Sequence, residues 1–175
     1  MNVPLSDWIG AAELAVKEVA TAALSCAQVE RATVDGHPSP SLFGAYVPLV
    51  AAGCMVQIGV VAEWQACQAL ARALFGMEAD QELDGDSDVS DALGEIANMV
   101  AGLVKMRMNE RTPGLNSGLP LCVAGHVEPG AGVEQASVAL LFDDVRASVR
   151  VLLSPTVEPV SARTRAQTRS AAKEC

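Results

Sequence analysis

A chain of 175 residues has room for one domain and a tail, and with 50% of its residues hydrophobic it has ample material for a core. Aromatic residues make up only 3%, so that core must be built from Ala, Val and Leu. The formal net charge is −9, and residues 1–153 hold eight basic against nineteen acidic side chains, a body that repels nucleic-acid phosphates and anionic membranes alike.

No run approaches the ~20 apolar residues of a transmembrane helix. Met1 to Gly10 carries Asp7 and no Lys or Arg, the wrong chemistry for a secretory leader. The five cysteines (Cys26, Cys54, Cys67, Cys122 and Cys175) are odd in number and form no Cys-x-x-Cys. They read as reduced core thiols of a cytoplasmic protein.

Asp7 to Leu24 has apolar residues at helical spacing, with Ser6 as its N-cap. Cys26 to Val34 alternates weakly and reads as extended, and Asp35-Gly-His-Pro-Ser-Pro40 is a loop by its turn chemistry. Leu42–Val50 and Cys54–Val61 are apolar runs joined by Ala51-Ala-Gly53, a buried β-hairpin. Glu63 to Phe75 returns to helical period and ends at Gly76. An acidic connector from Met77 to Ser87 leads into the longest helical segment, Asp88 to about Met108. Asn109–Gly118 is a loop, followed by strands at Leu119–Val127, Val133–Phe142 and Val145–Leu153, with Asp143-Asp144 as a tight turn. This order lacks the strict alternation of a doubly wound fold. It predicts an α+β domain over residues 1–153, with an antiparallel or mixed sheet of about six strands and helices packed on it. Residues 154–175 have little to bury and read as a disordered basic tail.

The informative stretch is Asp91-Ala-Leu-Gly-Glu-Ile-Ala-Asn-Met-Val-Ala-Gly102. At about 100° per residue, Asp91, Glu95, Asn98, Gly102 and Lys105 share one narrow face. Leu93, Ile96, Val100, Leu103 and Val104 share the opposite one. The neighbours of Glu95 and Asn98 are small: Gly94, Ala97, Ala101 and Gly102. Glycine inside a helix costs about 1 kcal/mol relative to Ala. Either another surface approaches the backbone there, or the sheet packs tightly against it. An i, i+3 Glu/Asn pair also occurs on solvated helix faces, so spacing says only that both side chains reach one partner together. Asp84, Asp86, Asp88 and Glu95 fit positions of a calcium loop, but the turning position, which wants Gly, is Val89. No metal site is expected.

This helix, with Ala73-Leu-Phe-Gly76 and an acidic spacer before it and Leu119-Pro120-Leu-Cys-Val123 after it, resembles the CheC/CheX/FliY family of chemotaxis phosphatases, and the CheX branch most closely. The likeness covers about Leu42 to Leu153. Two features depart from the family pattern: Leu103 stands where Asn is common, and only one Glu-x-x-Asn helix is present where CheC-type members resemble a duplication.

The resemblance implies an enzyme that hydrolyses the aspartyl-phosphate of a CheY-like response regulator receiver domain. Asn98 orients the attacking water, and Glu95 docks to a lysine of the partner. Asp91, Gly94, Ala101 and Gly102 are the expected partner-binding residues. No cofactor of its own is implied, the Mg²⁺ ion belonging to the receiver, and CheX-type members suggest a homodimer joined through its sheets. The rival reading is a non-catalytic receiver-binding or flagellar-switch-like module on the same scaffold. A small-molecule-binding domain is a third, with little support from a narrow polar face.

Overall fold

The structure, a computed structural model, describes residues 3–32, 42–78, 81–125 and 127–155. Its described residues form three helices, α1 (Leu5–Ala23), α2 (Trp64–Phe75) and α3 (Asp86–Met108). They also form seven strands: β1 (Val29–Arg31), β2 (Phe43–Ala51), β3 (Cys54–Ala62), β4 (Asn116–Ser117), β5 (Leu121–Ala124), β6 (Glu134–Phe142) and β7 (Val145–Pro155). The strands pair antiparallel in the order β1-β6-β7-β3-β2, with β5 and β4 end to end along the far edge of β2. This is the expected α+β architecture with one strand more than foreseen. The extra strand, β4, lies in the stretch read as loop, where only two residues pair with Val50 and Leu49.

The hairpin of β2 and β3 turns at Ala52-Gly53, where Gly53 has φ 88°, a conformation that costs glycine nothing. The β6–β7 turn is closed by Asp143 at φ 49°. Its carboxylate accepts the backbone N–H groups of Ala27 and Gln28, which ties the chain after α1 to the sheet. Strand β7 runs to Pro155, two residues past the expected domain end, with Met55 opposite Ser154. The rest of the proposed tail, and the loop at 35–40, lie outside the described residues.

All three helices cover one face of the sheet. Alternate residues of the central strands point toward them: Ala45, Val47 and Leu49, then Val56, Ile58 and Val60, then Ala147, Val149 and Val151, all fully or almost fully buried. The core is the expected small-residue one, with Trp8 of α1 as its largest member. On the opposite face a smaller cluster of Tyr46, Val61 and Leu152 is covered by Leu42, Val123, Val127 and Val133.

Helix α1 starts at Leu5, so Ser6 lies inside its first turn, and Pro4 occupies the N-cap position without a side-chain bond. Buried Glu13 pairs with Arg31 of β1 through two hydrogen bonds and with Lys17 at 2.9 Å. Helix α2 ends where Gly76 adopts the left-handed conformation and Met77 N–H reaches back to the Arg72 carbonyl. Helix α3 begins at Asp86, with Asp86 and Asp88 in its first turn and Lys105 and Arg107 in its last, each sign matched to the helix dipole. The Asp88 carboxylate accepts the Asp84 N–H. Asp86 and Asp88 thus belong to the first turn of the helix, and Asp84 lies just before it.

Candidate functional site

Helix α3 is held on three sides. Leu93, Ile96, Ala97, Val100, Ala101 and Val104 are buried against the sheet and the other helices. The remaining ribbon carries Asp91, Glu95 and Gly102, all exposed, and Asn98 and Lys105, half-buried. Glu95 and Asn98 stand one turn apart on this ribbon, and among the described residues neither side chain makes a hydrogen bond or ion pair. Both functional groups are therefore free for an outside partner on a helix whose position the core fixes. Leu103, the departure from the family pattern, is half-buried and packs on the core, so it alters packing rather than the ribbon.

The two glycines of the motif separate in their surroundings. Gly94 is buried under Pro120: a Cβ built at Gly94 would lie 3.5 Å from the proline Cγ, an ordinary van der Waals distance. Gly102 is open, with nothing within 4 Å of where its Cβ would be. Neither glycine is demanded by packing within the chain. Two expectations need correction here. Gly94 is covered by Pro120 and Ala101 is 0% exposed, so neither can line a partner-facing surface; Asp91 and Gly102 can. The helical wheel put these small residues near the ribbon's edge, but it carried no information on which neighbours cover that edge.

Sequence reasoning also missed what stands around the ribbon. Pro120 on Gly94 brings the β4–β5 connection alongside α3, and Leu119, the residue before it, is 86% exposed. Met106, one turn past Gly102 on the same face, is 68% exposed. Cys122 is exposed, not a core thiol; its Sγ lies 3.4 Å from the Ser90 carbonyl. Partial burial and, second, the neighbouring Asp91 carboxylate push its thiol pKa up, which keeps it protonated. Cys67 is a buried core thiol, with its pKa pushed up to about 11 by burial, while Cys26 and Cys54 are half-buried. The signal for Leu119 and Met106 was in the sequence as apolar residues beside the motif, but nothing there distinguished exposed ones from core.

A cleft of about 140 Å³ opens between α3 and β5, lined by Phe43, Trp64, Ser90 and Cys122, and one of about 410 Å³ lies near Val3, Trp8 and Thr112. Neither includes Glu95 or Asn98. Among the described residues no group of three His, Cys, Asp or Glu side chains is placed to hold a metal ion, and no helix is long and apolar enough to cross a membrane.

The structure thus joins an open antiparallel sheet, one face covered by helices, to a surface helix whose Glu95 carboxylate and Asn98 carboxamide are unpartnered among the described residues. The family model for chemotaxis phosphatase CheX matches residues 47–139, and the chain belongs to that family. Among solved structures it is similar to the chemotaxis protein CheX of Vibrio vulnificus, with a TM-score of 0.69 and 13% identity over 87% of this chain and 100% of that one. It is similar to the CheX–CheY–BeF3–Mg²⁺ complex of Borrelia burgdorferi, with a TM-score of 0.62 and 16% identity over 86% and 97%. FliY of Thermotoga maritima follows at a TM-score of 0.54 and 15% identity over 89% and 93%. At these identities the likeness is one of fold. No curated protein sequence matches the chain.

Proposed function

We propose that this protein hydrolyses the aspartyl-phosphate of a CheY-like response regulator receiver domain. The observation that carries the reading is the Glu95/Asn98 pair: two polar side chains one turn apart, without partners among the described residues, projecting from the fixed helix of a CheX-family chain.

An aspartyl-phosphate is a mixed anhydride and already activated. Its hydrolysis needs a water held in line with the scissile P–O bond more than it needs a new nucleophile. The Asn98 carboxamide suits that task, since it accepts from and donates to a water and does not titrate. The water oxygen bonds to phosphorus, the bond to the aspartyl oxygen breaks, and inorganic phosphate and a free carboxylate leave. Glu95 docks to a lysine beside the phosphorylation site and sets Asn98 in register. The Mg²⁺ that neutralises the phosphoryl oxygens belongs to the receiver, so the protein supplies no metal ligand. The Borrelia structure, in which a CheX is bound to CheY with BeF3 and Mg²⁺, supports a receiver as the partner class.

The proposal includes a cytoplasmic homodimer. Val50, Leu121 and Leu141 leave apolar surface exposed on the sheet face away from the helices, where a second copy would bury it.

A second reading, receiver binding or a flagellar-switch-like role without hydrolysis, is favoured by the likeness to FliY. Decay of a phosphorylated receiver separates the two. The phosphatase reading expects faster decay with wild type, loss of turnover but retained binding for Asn98→Ala, and weakening of both for Glu95→Ala. Binding of wild type with unchanged decay would leave the non-catalytic module.

A further inference from the structure

We propose that Met106 and Leu119 form an apolar rim on two sides of the Glu95/Asn98 ribbon and select the receiver domain by the apolar surface next to its phosphorylated aspartate. The identity of the partner rests on the phosphatase reading; the placement of the rim does not.

Met106 follows Glu95 by eleven residues, three helical turns, so the two side chains leave α3 at nearly the same angle, roughly 16 Å apart along the axis. Between them lie Asn98 and the open backbone of Gly102. Leu119 directly precedes Pro120, which packs on Gly94, the residue before Glu95. At 68% and 86% exposed, these two have the most exposed side chains among the large hydrophobics described. The others that stand out are elsewhere: Leu14 on α1, Phe75 at the end of α2, and Val50, Leu121 and Leu141 on the sheet.

Single exposed hydrophobics are ordinary. Two that bracket an unpartnered polar pair on one face have a use. A carboxamide orients one water more firmly where the contact is screened from bulk solvent, and a flat ribbon of Glu, Asn and Gly screens little. An apolar rim seated on the partner provides that screen and adds affinity without adding charge to an already acidic helix. That charge also constrains the partner. Asp88, Asp91 and Glu95 crowd the N-terminal half of the ribbon, and Met106 lies beside Lys105 at the other end. The complementary surface is positive near Glu95 and apolar where Met106 and Leu119 sit.

The test uses the full chain with Met106→Ser, Leu119→Ser and the double variant, and Leu14→Ser on α1 as the control. Decay of phosphorylated receiver is followed across receiver concentration, and binding is titrated with receiver loaded with beryllofluoride and Mg²⁺. We expect KM and Kd to rise roughly fivefold for each single variant and more for the double, with kcat within about twofold of wild type and Leu14→Ser unchanged. Because both side chains are in water, melting temperatures should not move. Unchanged KM and Kd in the double variant would overturn the rim. So would a drop to half the particle mass on Leu119→Ser, which would assign the leucine to a second copy. If wild type binds the loaded receiver without speeding decay, the phosphatase reading fails while the Kd series still decides the rim. If wild type does not bind it at all, both fall.

Discussion

Asn98 and Glu95 carry different burdens, and substitutions should separate them. Removing the Asn98 carboxamide leaves the docking face intact but releases the water, so kcat should fall roughly a hundredfold with little change in KM. Removing the Glu95 carboxylate takes away the lysine contact and, with it, the register of Asn98; roughly a tenfold loss of binding should accompany a loss of kcat. Gly102 makes a sharper case. It is exposed in mid-helix, and a methyl group there meets nothing within 4 Å. Gly102→Ala should therefore stabilise the isolated protein by about 1 kcal/mol, read as a higher urea midpoint. The same methyl should weaken receiver binding, because it lifts the partner off the backbone between Asn98 and Met106. A variant that gains stability and keeps full activity would show that no surface approaches Gly102. The face that these residues share was legible from the twelve-residue motif. The exclusion of Gly94 and Ala101 from the face was not, because it depends on Pro120 and on the sheet, both remote in sequence from the helix.

At the scale of the elements, the hairpin, α2 and α3 followed from periodicity and from Gly53 and Gly76, where a left-handed φ fixes the turn and the helix end. The short strands β4 and β5 were misjudged in opposite ways. Asn116–Ser117 pairs with only two residues of β2, too brief to leave a period-2 pattern, and β5 shrinks to Leu121–Ala124. Strand β1 has three residues, and its docking to the helix layer runs through Glu13 of α1. The Arg31 guanidinium, against the cost of burial and with help from Lys17, holds the Glu13 carboxyl at about 2, below its ordinary 4.5. A depressed folded pKa stabilises the fold above the unfolded value, and the gain is lost as pH falls from about 4.5 through about 2. Arg31 is largely in water, so screening keeps the contribution small. Glu13→Gln should lower the urea midpoint at pH 7, and the gap to wild type should close as the pH approaches 2. A constant gap across that range would mean the charge pair does not tie α1 to β1.

Taken as one molecule, the chain carries its acid excess on a body whose central helix presents an acidic ribbon. Association with a receiver through Glu95 and its neighbours should therefore weaken with ionic strength, and roughly tenfold weaker binding between low salt and 0.5 M NaCl is the expected size for a contact with a few charge pairs. Salt-independent binding would point to a mainly apolar contact. A sheet under helices was readable from the order of elements, which lacks strict strand–helix alternation, but that order left antiparallel and mixed pairing both open. The strand order was not, since β1-β6 and β3-β7 join segments far apart in sequence and no periodicity encodes a partner.

The most direct measurement of the central claim is the decay of a phosphorylated receiver at saturating wild-type protein, set beside Asn98→Ala at the same occupancy confirmed by titration. Hydrolysis through the ribbon predicts fast decay with wild type and decay at the receiver's own rate with the bound variant. Equal acceleration by both proteins would contradict it, because the water would then be held by something other than Asn98.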